Sequence, residues 1–221
     1  MIGLIIAILV TSVILFGILS SIIVFYLKNK KKKTAGFKFE AYIKNKLITY
    51  AKNNNYKYLN GGLFKYASNQ LFEIDGLLLG NKAVYIIEVK YYNGHIYGDS
   101  FSDYLNIKNY KKEIKVKNPL IQNFKHIQHF YKMCNFNIPV FSLLIFPSET
   151  TFDIQQQESW SIIANEDKID QKLKDVEVDM ADEQDLSFET LKAVSDAVNL
   201  SRTSSIKDIK KFGKIINQNE K

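Results

Sequence analysis

Residues 71–90 read LFEIDGLLLGNKAVYIIEVK, and the way this stretch is threaded decides the fold. Two runs rich in apolar and β-branched residues, Leu71–Leu79 and Ala83–Val89, flank Gly80-Asn81-Lys82, which is the composition of a hairpin. Asp75 sits in the first run, Glu88 in the second and Lys90 just beyond it. Residues two apart in a strand share a face, so Glu88 and Lys90 point the same way. A loop of Gly80-Asn81 places Asp75 opposite Ile86 and diagonal to Glu88; a loop of Asn81-Lys82 places it directly opposite Glu88. Both keep the carboxylates on one face, whereas a three-residue loop separates them across the sheet. Glu73 shares their face in both two-residue registers and is a rival ligand.

Charged groups in apolar strands are costly to bury unpaired, so these three need a partner, water or a metal. Two converging carboxylates and an ammonium suit phosphodiester hydrolysis. Hard oxygen ligands hold Mg²⁺ or Mn²⁺, and a lysine alongside orients a nucleophile or meets developing oxygen charge. The plainer reading is a surface salt bridge between Lys90 and Glu88 or Asp75.

Working outward, Phe37–Lys52 carries a helical stripe ended by Asn53-Asn54-Asn55, and Gly61-Gly62 reads as a turn. Tyr91–Asp99 reads as strand or turn and Tyr104–Lys117 as a further edge strand. Asn118-Pro119 is a stop from which a helix runs over Leu120–Met133. Val140–Phe146 is a buried strand and Trp160–Ala164 another, with Trp160 in the core and Asn165 capping a short helix. Helices follow over Ser187–Val198 and Ser205–Ile216, the latter with a basic face. The order predicts an α/β (α+β) domain with a mixed sheet flanked by helices.

Met1–Leu27 has no charged side chain and is long enough to span a bilayer core of roughly 30 Å. Thr11, Ser12, Ser20 and Ser21 interrupt it, and their hydroxyls can bond back to helix carbonyls. A cleaved signal peptide fits less well: there is no basic n-region, the apolar run is too long and no small-x-small site precedes the lysines. Lys28, Lys30, Lys31, Lys32 and Lys33 read as the cytoplasmic flank of an uncleaved single-pass anchor in the cell membrane. They supply five of the seven net positive charges, so the overall charge is a poor argument for nucleic-acid binding. The single cysteine, Cys134, rules out an internal disulfide framework.

The series Gly36-x-x-x-Glu40, Glu73-Ile74-Asp75, Ile86-Ile87-Glu88-Val89-Lys90, Gly94-His95-Ile96-Tyr97-Gly98 and Asn118-Pro119-x-x-Gln122-x-x-x-His126 resembles the nuclease-related (NERD) domain, which is similar to the PD-(D/E)XK nucleases. The resemblance covers Gly36–Phe146. It implies a restriction-endonuclease-like sheet, Asp75 and Glu88 as ligands of Mg²⁺ or Mn²⁺, the carbonyl of Val89 as a further ligand, and Lys90 as the catalytic lysine. It also implies supporting roles for Glu40 on the first helix and Gln122 on the later one. Phe39 departs from the glycine that often precedes the helix glutamate in the family, which touches Glu40 more than the hairpin residues. The expected organisation is an anchor (1–27), a polybasic linker (28–35), the nuclease-like domain (36–150) and a C-terminal extension, acidic then helical (151–221).

Lys108, Lys111, Lys112, Lys115, Lys117 and Lys125, interleaved with Tyr104 and Tyr110, suit a phosphate backbone as nucleic-acid-binding residues, or equally a lysine-protected edge strand. Gln122, His126 and His129 share a helix face, and a zinc pair there is thinly supported. The acidic stretch from Asp153 to Glu189 repels nucleic acid. Two functions stand: a membrane-anchored metal-dependent nuclease acting on DNA or RNA, or a non-catalytic tethered module that binds nucleic acid or a protein.

Overall fold

The computed structural model describes residues 2–67, 69–110 and 112–219, without the side chains of 2–13, 22–26, 28–33 and 217–219. Two compact units, Met1–Phe39 and Glu40–Lys221, divide the chain. Helix α1 (Ile2–Asn53) supplies all of the first. Ile14, Leu15, Phe16, Ile18 and Leu19 are exposed on it, and the hydroxyls of Ser20 and Ser21 donate to the Gly17 carbonyl at 2.9 and 2.8 Å. Among the described residues no helix is long and apolar enough to cross a membrane. Most side chains of the expected span, and Lys28, Lys30, Lys31, Lys32 and Lys33, lie outside the described residues. Thr34 and Ala35, expected as part of the linker, are helical.

The second unit holds two mixed sheets. Strands β1 (Lys57–Tyr66), β2 (Gln70–Leu79), β3 (Val84–Val89), β7 (Val140–Phe146) and β9 (Ser161–Asn165) make a five-stranded sheet in the order β1-β2-β3-β7-β9. β1, β2 and β3 are antiparallel neighbours, while β7 and β9 join in parallel. Strands β4 (His95–Asp99), β5 (Tyr104–Lys108), β6 (Glu113–Lys117) and β8 (Thr151–Gln155) form the second sheet in the order β6-β5-β4-β8. The expected edge strand over Tyr104–Lys117 is therefore a hairpin, with β6 at the edge. Helix α2 (Pro119–Cys134) packs on the first sheet through Ile127, Phe130 and Cys134, which meet Phe72, Ile74, Val84 and Ile86. Helices α3 (Ile169–Asp179), α4 (Phe188–Ser201) and α5 (Ile206–Asn219) follow. Asn165 does not cap by its side chain; its amide instead donates to the carbonyls of Pro147 and Thr150 at 2.8 Å each.

Gly61-Gly62 is not a turn but the middle of β1. Strand alternation sets even and odd positions on opposite faces, yet Leu59 and Phe64 on β1, and Phe72, Ile74, Leu77 and Leu79 on β2, all belong to one core. The facing switches between residues 59 and 64, opposite 74–77. There the pairing of Gly61 with Asp75 is skipped and Gly62 adopts φ +134°. A Cβ on Gly61 would lie 2.2 Å from the backbone oxygens of Ile74 and Asp75. The glycine pair thus lets β1 pass against the backbone that carries Asp75. Arg202, just past α4, holds the opened stretch. Its guanidinium donates to the carbonyls of Gly61 and Asn60 at 2.5 Å each and lies 4.9 Å over the Phe64 ring. Gly61→Ala is expected to destabilise the fold by about 2 kcal/mol, as other overpacking changes do, read as a lowered midpoint in chemical denaturation. An unchanged midpoint would mean that the strand passes elsewhere.

Candidate active site

The β2–β3 ladder starts from Leu79 paired with Val84 and ends at Gly76 paired with Ile87, around the two-residue loop Asn81-Lys82. The Gly80 N–H closes that loop on the Ala83 carbonyl at 2.9 Å. This is the register that sets Asp75 directly opposite Glu88. At that step the backbone pairing stops, and Asp75 Oδ2 accepts the Val89 N–H at 2.7 Å in place of a backbone carbonyl. Glu88 is 2% exposed. Its Oε1 lies 2.5 Å from Lys90 Nζ and its Oε2 lies 3.6 Å from His126 Nε2. Asp75, Glu88 and Lys90 therefore meet at the end of the hairpin remote from its loop.

β3 can carry buried charge there because it is held on both sides. The Ile145 carbonyl on β7 accepts the Lys90 N–H at 2.9 Å. On α2, the Asn123 amide donates to the Ile86 carbonyl at 3.0 Å and to Ser142 Oγ at 2.7 Å, tying helix to sheet. Asn118 caps α2 by accepting the Leu120 N–H at 2.9 Å, and its amide donates to the carbonyls of Ser100 and Ser102. Asn123 was not anticipated from the sequence. Its only signal there is a polar residue at an inward position of an apolar helical stripe.

Burial raises Glu88 to about 7, Asp75 and Glu40 adding to the shift and Lys90 opposing it. Burial also raises Asp75, against the Val89 hydrogen bond and Lys90. Glu40 is raised by burial and then by Asp75 and Glu73, and Glu73 by burial and Asp75. Burial pulls the Lys90 ammonium down, but Glu88 outweighs it and leaves Lys90 above its ordinary value. Tyr58, pushed up to about 12 by burial and then by Asp75 and Glu40, borders the same field. The Lys90 ammonium thus acts on Glu88, Asp75 and Glu40, and Glu73 adds its charge beside Asp75.

Helix α2 brings a second set. His126 is lowered to about 4 by burial, then by His129 and Lys90. Gln122 is exposed, with Nε2 3.4 Å from His126 Nε2. His129 Nδ1 bonds the Tyr66 hydroxyl at 2.7 Å, and its ring stacks on Phe72 at 5.0 Å. Both histidine rings pack against Phe72, and His129 also against Tyr66.

Linkage gives these shifts a sign. A histidine neutral in the fold stabilises above its unfolded value of 6.5 and loses that contribution as pH falls toward 4. Glu88 acts oppositely, its penalty fading between about 7 and 4.5. The two partly cancel in the parent chain. His126→Asn removes one side, so its stability relative to the parent is expected to improve by about 2–3 kcal/mol from pH 7.5 to pH 4. Thermal melts in chelator read this, and equal pH slopes for both chains would refute it.

The nuclease-related domain family matches residues 35–147, just over half of the chain. The chain belongs to the nuclease-related domain family. No curated protein and no solved structure matches it. The matched part of this nuclease-related domain stops after β7, whereas β8 and β9 complete its two sheets.

Among the described residues no group of three or more His, Cys, Asp or Glu is gathered to hold a metal. Asp75 and Glu88 are an oxygen pair with excess negative charge. That fits Mg²⁺, which keeps several waters and takes one or two carboxylates, better than zinc.

The described candidate lysines of this nuclease-related domain lie on or beside the second sheet and on α2. Lys108, Lys112, Lys115 and Lys117 are exposed on or beside β5 and β6, which belong to the sheet that does not carry Asp75. Lys125 is exposed on α2, adjacent to His126. Lys111 lies outside the described residues.

Proposed function

We propose that this chain is a membrane-anchored nuclease that hydrolyses phosphodiester bonds of DNA or RNA with Mg²⁺ or Mn²⁺. The observation that carries the reading is Asp75 opposite Glu88 with the Lys90 ammonium on Glu88, in a nuclease-related domain. Asp75, Glu88 and the Val89 carbonyl would hold the ion. When bound, it supplies an acidified water and neutralises charge gathering on the phosphate. Lys90, released from Glu88, orients the attacking water and hydrogen-bonds the phosphate oxygen as charge develops. His126, neutral at ordinary pH, positions the second oxygen of Glu88. Gln122 at the exposed end of that contact reaches toward substrate, and Glu40 adds to the negative field that draws in a cation.

The path of the nucleic acid follows charge. Lys82 in the hairpin loop pairs with Asp185 at 3.2 Å, so the acidic stretch docks at the loop end. Asp75 lies six strand positions from that loop, roughly 20 Å at strand rise. Substrate therefore enters from the opposite end, along the exposed lysines, with the apolar N-terminal helix in the membrane and the lysine flank on the cytoplasmic side. A second reading, a non-catalytic module binding nucleic acid, draws on the direct Glu88–Lys90 pair and the lack of a third gathered ligand among the described residues.

The full chain in detergent micelles, incubated with labelled single- and double-stranded DNA and RNA, separates the two. The nuclease reading expects scission with Mg²⁺ or Mn²⁺ and none with chelator. Binding without scission in either metal would establish the module instead. Membrane anchoring is checked by alkaline carbonate washing of cell membranes, and release of the chain into the wash would overturn it.

A further inference from the structure

Beside the N-terminal end of α2 lies a cavity of about 140 Å³, lined chiefly by Phe101, Leu120, Ile121, Phe124 and Trp160, with Ser161 and Glu158 at its margin. Apolar cavities of about 150 Å³ accept a benzene-sized ring. Trp160 was expected in the core. It does pack against the core, but it also faces Phe124 at 5.0 Å between ring centroids, leaving its flank to the cavity. Phe101 is 61% exposed and Phe124 39%, so two aromatic rings stand at the opening. Ser161 Oγ is buried with no hydrogen-bond partner among the described residues.

The surroundings select the occupant. β6 exposes Lys115 and Lys117 along the edge of its sheet, and the next residue, Asn118, is bonded to the Ser100 and Ser102 carbonyls of the loop that carries Phe101. Lys125 follows Phe124 directly on α2. Exposed cations thus run up to the aromatic mouth, while the Glu158 carboxylate at its margin repels a phosphate from the cavity itself. Cations outside and stackable rings inside are what a single nucleic-acid strand requires, with backbone on the lysines and a base on the aromatics. Gln122 and His126 lie on the next face of the same helix, toward Glu88.

We propose that this cavity receives one unpaired nucleobase of a single-stranded nucleic acid whose backbone runs along Lys115, Lys117 and Lys125. The proposal rests on the nucleic-acid reading above and narrows it: paired bases, stacked inside a duplex, cannot enter. A strand held by α2 at this pocket is presented to Glu88 by the adjacent face of the same helix.

Trp160 is the only tryptophan of the chain, so its fluorescence comes from a single site in the cavity wall. The probes are mixed-sequence single-stranded DNA and RNA oligonucleotides and a blunt DNA duplex. They are titrated into the full-length Asp75→Asn chain in micelles with chelator present, while the anisotropy of a label on each oligonucleotide records binding independently. Quenching of Trp160 in step with single-strand binding, little quenching by the duplex, and about tenfold weaker single-strand binding by Phe101→Ala or Phe124→Ala are expected. Both phenylalanines are surface residues, so these variants fold, and a circular dichroism melt confirms it. Single strands that bind with Trp160 unquenched, or equally tightly to the phenylalanine variants, would overturn the base pocket and leave the nuclease reading standing. Oligonucleotides that fail to bind at all would overturn the base pocket, and the nuclease reading would then be decided by the scission assay with Mg²⁺ or Mn²⁺. Quenching by a leucine- or phenylalanine-rich peptide, with no quenching by bound oligonucleotide, would assign the cavity to a protein partner and overturn the proposal.

Discussion

Asp75→Asn is expected to leave the fold and nucleic-acid binding in place and to slow metal-dependent cleavage by about 10³-fold. The amide oxygen of asparagine still accepts the Val89 N–H that Asp75 Oδ2 holds at 2.7 Å, so the end of the hairpin keeps its geometry. What is lost is one of the two facing carboxylates proposed to hold the ion. Stabilisation of transition-state charge by a metal amounts to several kcal/mol, and each 1.36 kcal/mol is tenfold in rate. Single-turnover cleavage of a saturating labelled strand, with Mg²⁺ varied, is the measurement. Undiminished cleavage at every Mg²⁺ concentration would remove Asp75 from the chemistry. Equal cleavage restored at very high Mg²⁺ would give it a role in affinity alone.

Lys90→Met is expected to destabilise the ion-free chain by about 3–5 kcal/mol at pH 8, the range for removing one partner of a buried pair. For a unit of this size that is a loss of roughly 10 °C in Tm. Glu88 is nearly fully buried, and Lys90 is the cation that lies against it in the described chain. Without the ammonium, Glu88 keeps only the unfavourable influences, burial foremost and then Asp75 and Glu40. Its penalty is present above its folded value, which rises further in the variant, and vanishes below the unfolded 4.5. The deficit relative to the parent should therefore shrink as pH falls from 8 to 5. Mn²⁺ or Mg²⁺ should stabilise the variant more than the parent, since a divalent ion replaces the missing charge. A deficit that stays constant across pH would trace it to lost packing of the lysine stem.

The hairpin was legible because its signals are local. Alternation, a loop of turn-forming residues and charged groups at fixed offsets gave both favoured registers, of which the Asn81-Lys82 loop is observed. Helix α2 was legible for the same reason, since Asn118-Pro119 announces its start. Gly61-Gly62 misled because two glycines favour a turn in isolation, whereas here they admit a close backbone approach from a strand distant in sequence. The hairpin within Tyr104–Lys117 was hidden because its loop lacks a glycine or proline. At the site, helical spacing did set His126 on one face with Gln122 and His129, and that face meets Glu88, whereas Asn123 was beyond spacing rules: its role depends on how α2 is rotated over β3, which only the packing decides.

The parallel partner of β3 is β7, and Val84 waits fifty-six positions for Val140. At ribosomal speeds of about 5–20 residues per second, the flank of the nascent hairpin stays bare for roughly 3–11 s. During that interval Ile86, Ile87 and Val89 form an edge ready to recruit any other unfolded chain. Glu88 is then a solvated anion on that edge and, with Asp75 beside it on β2, acts as a gatekeeper against misassembly. Neutral replacements at these positions carry a hazard at birth that no measurement on the finished molecule detects, and cells making them should accumulate more insoluble chain than cells making the parent.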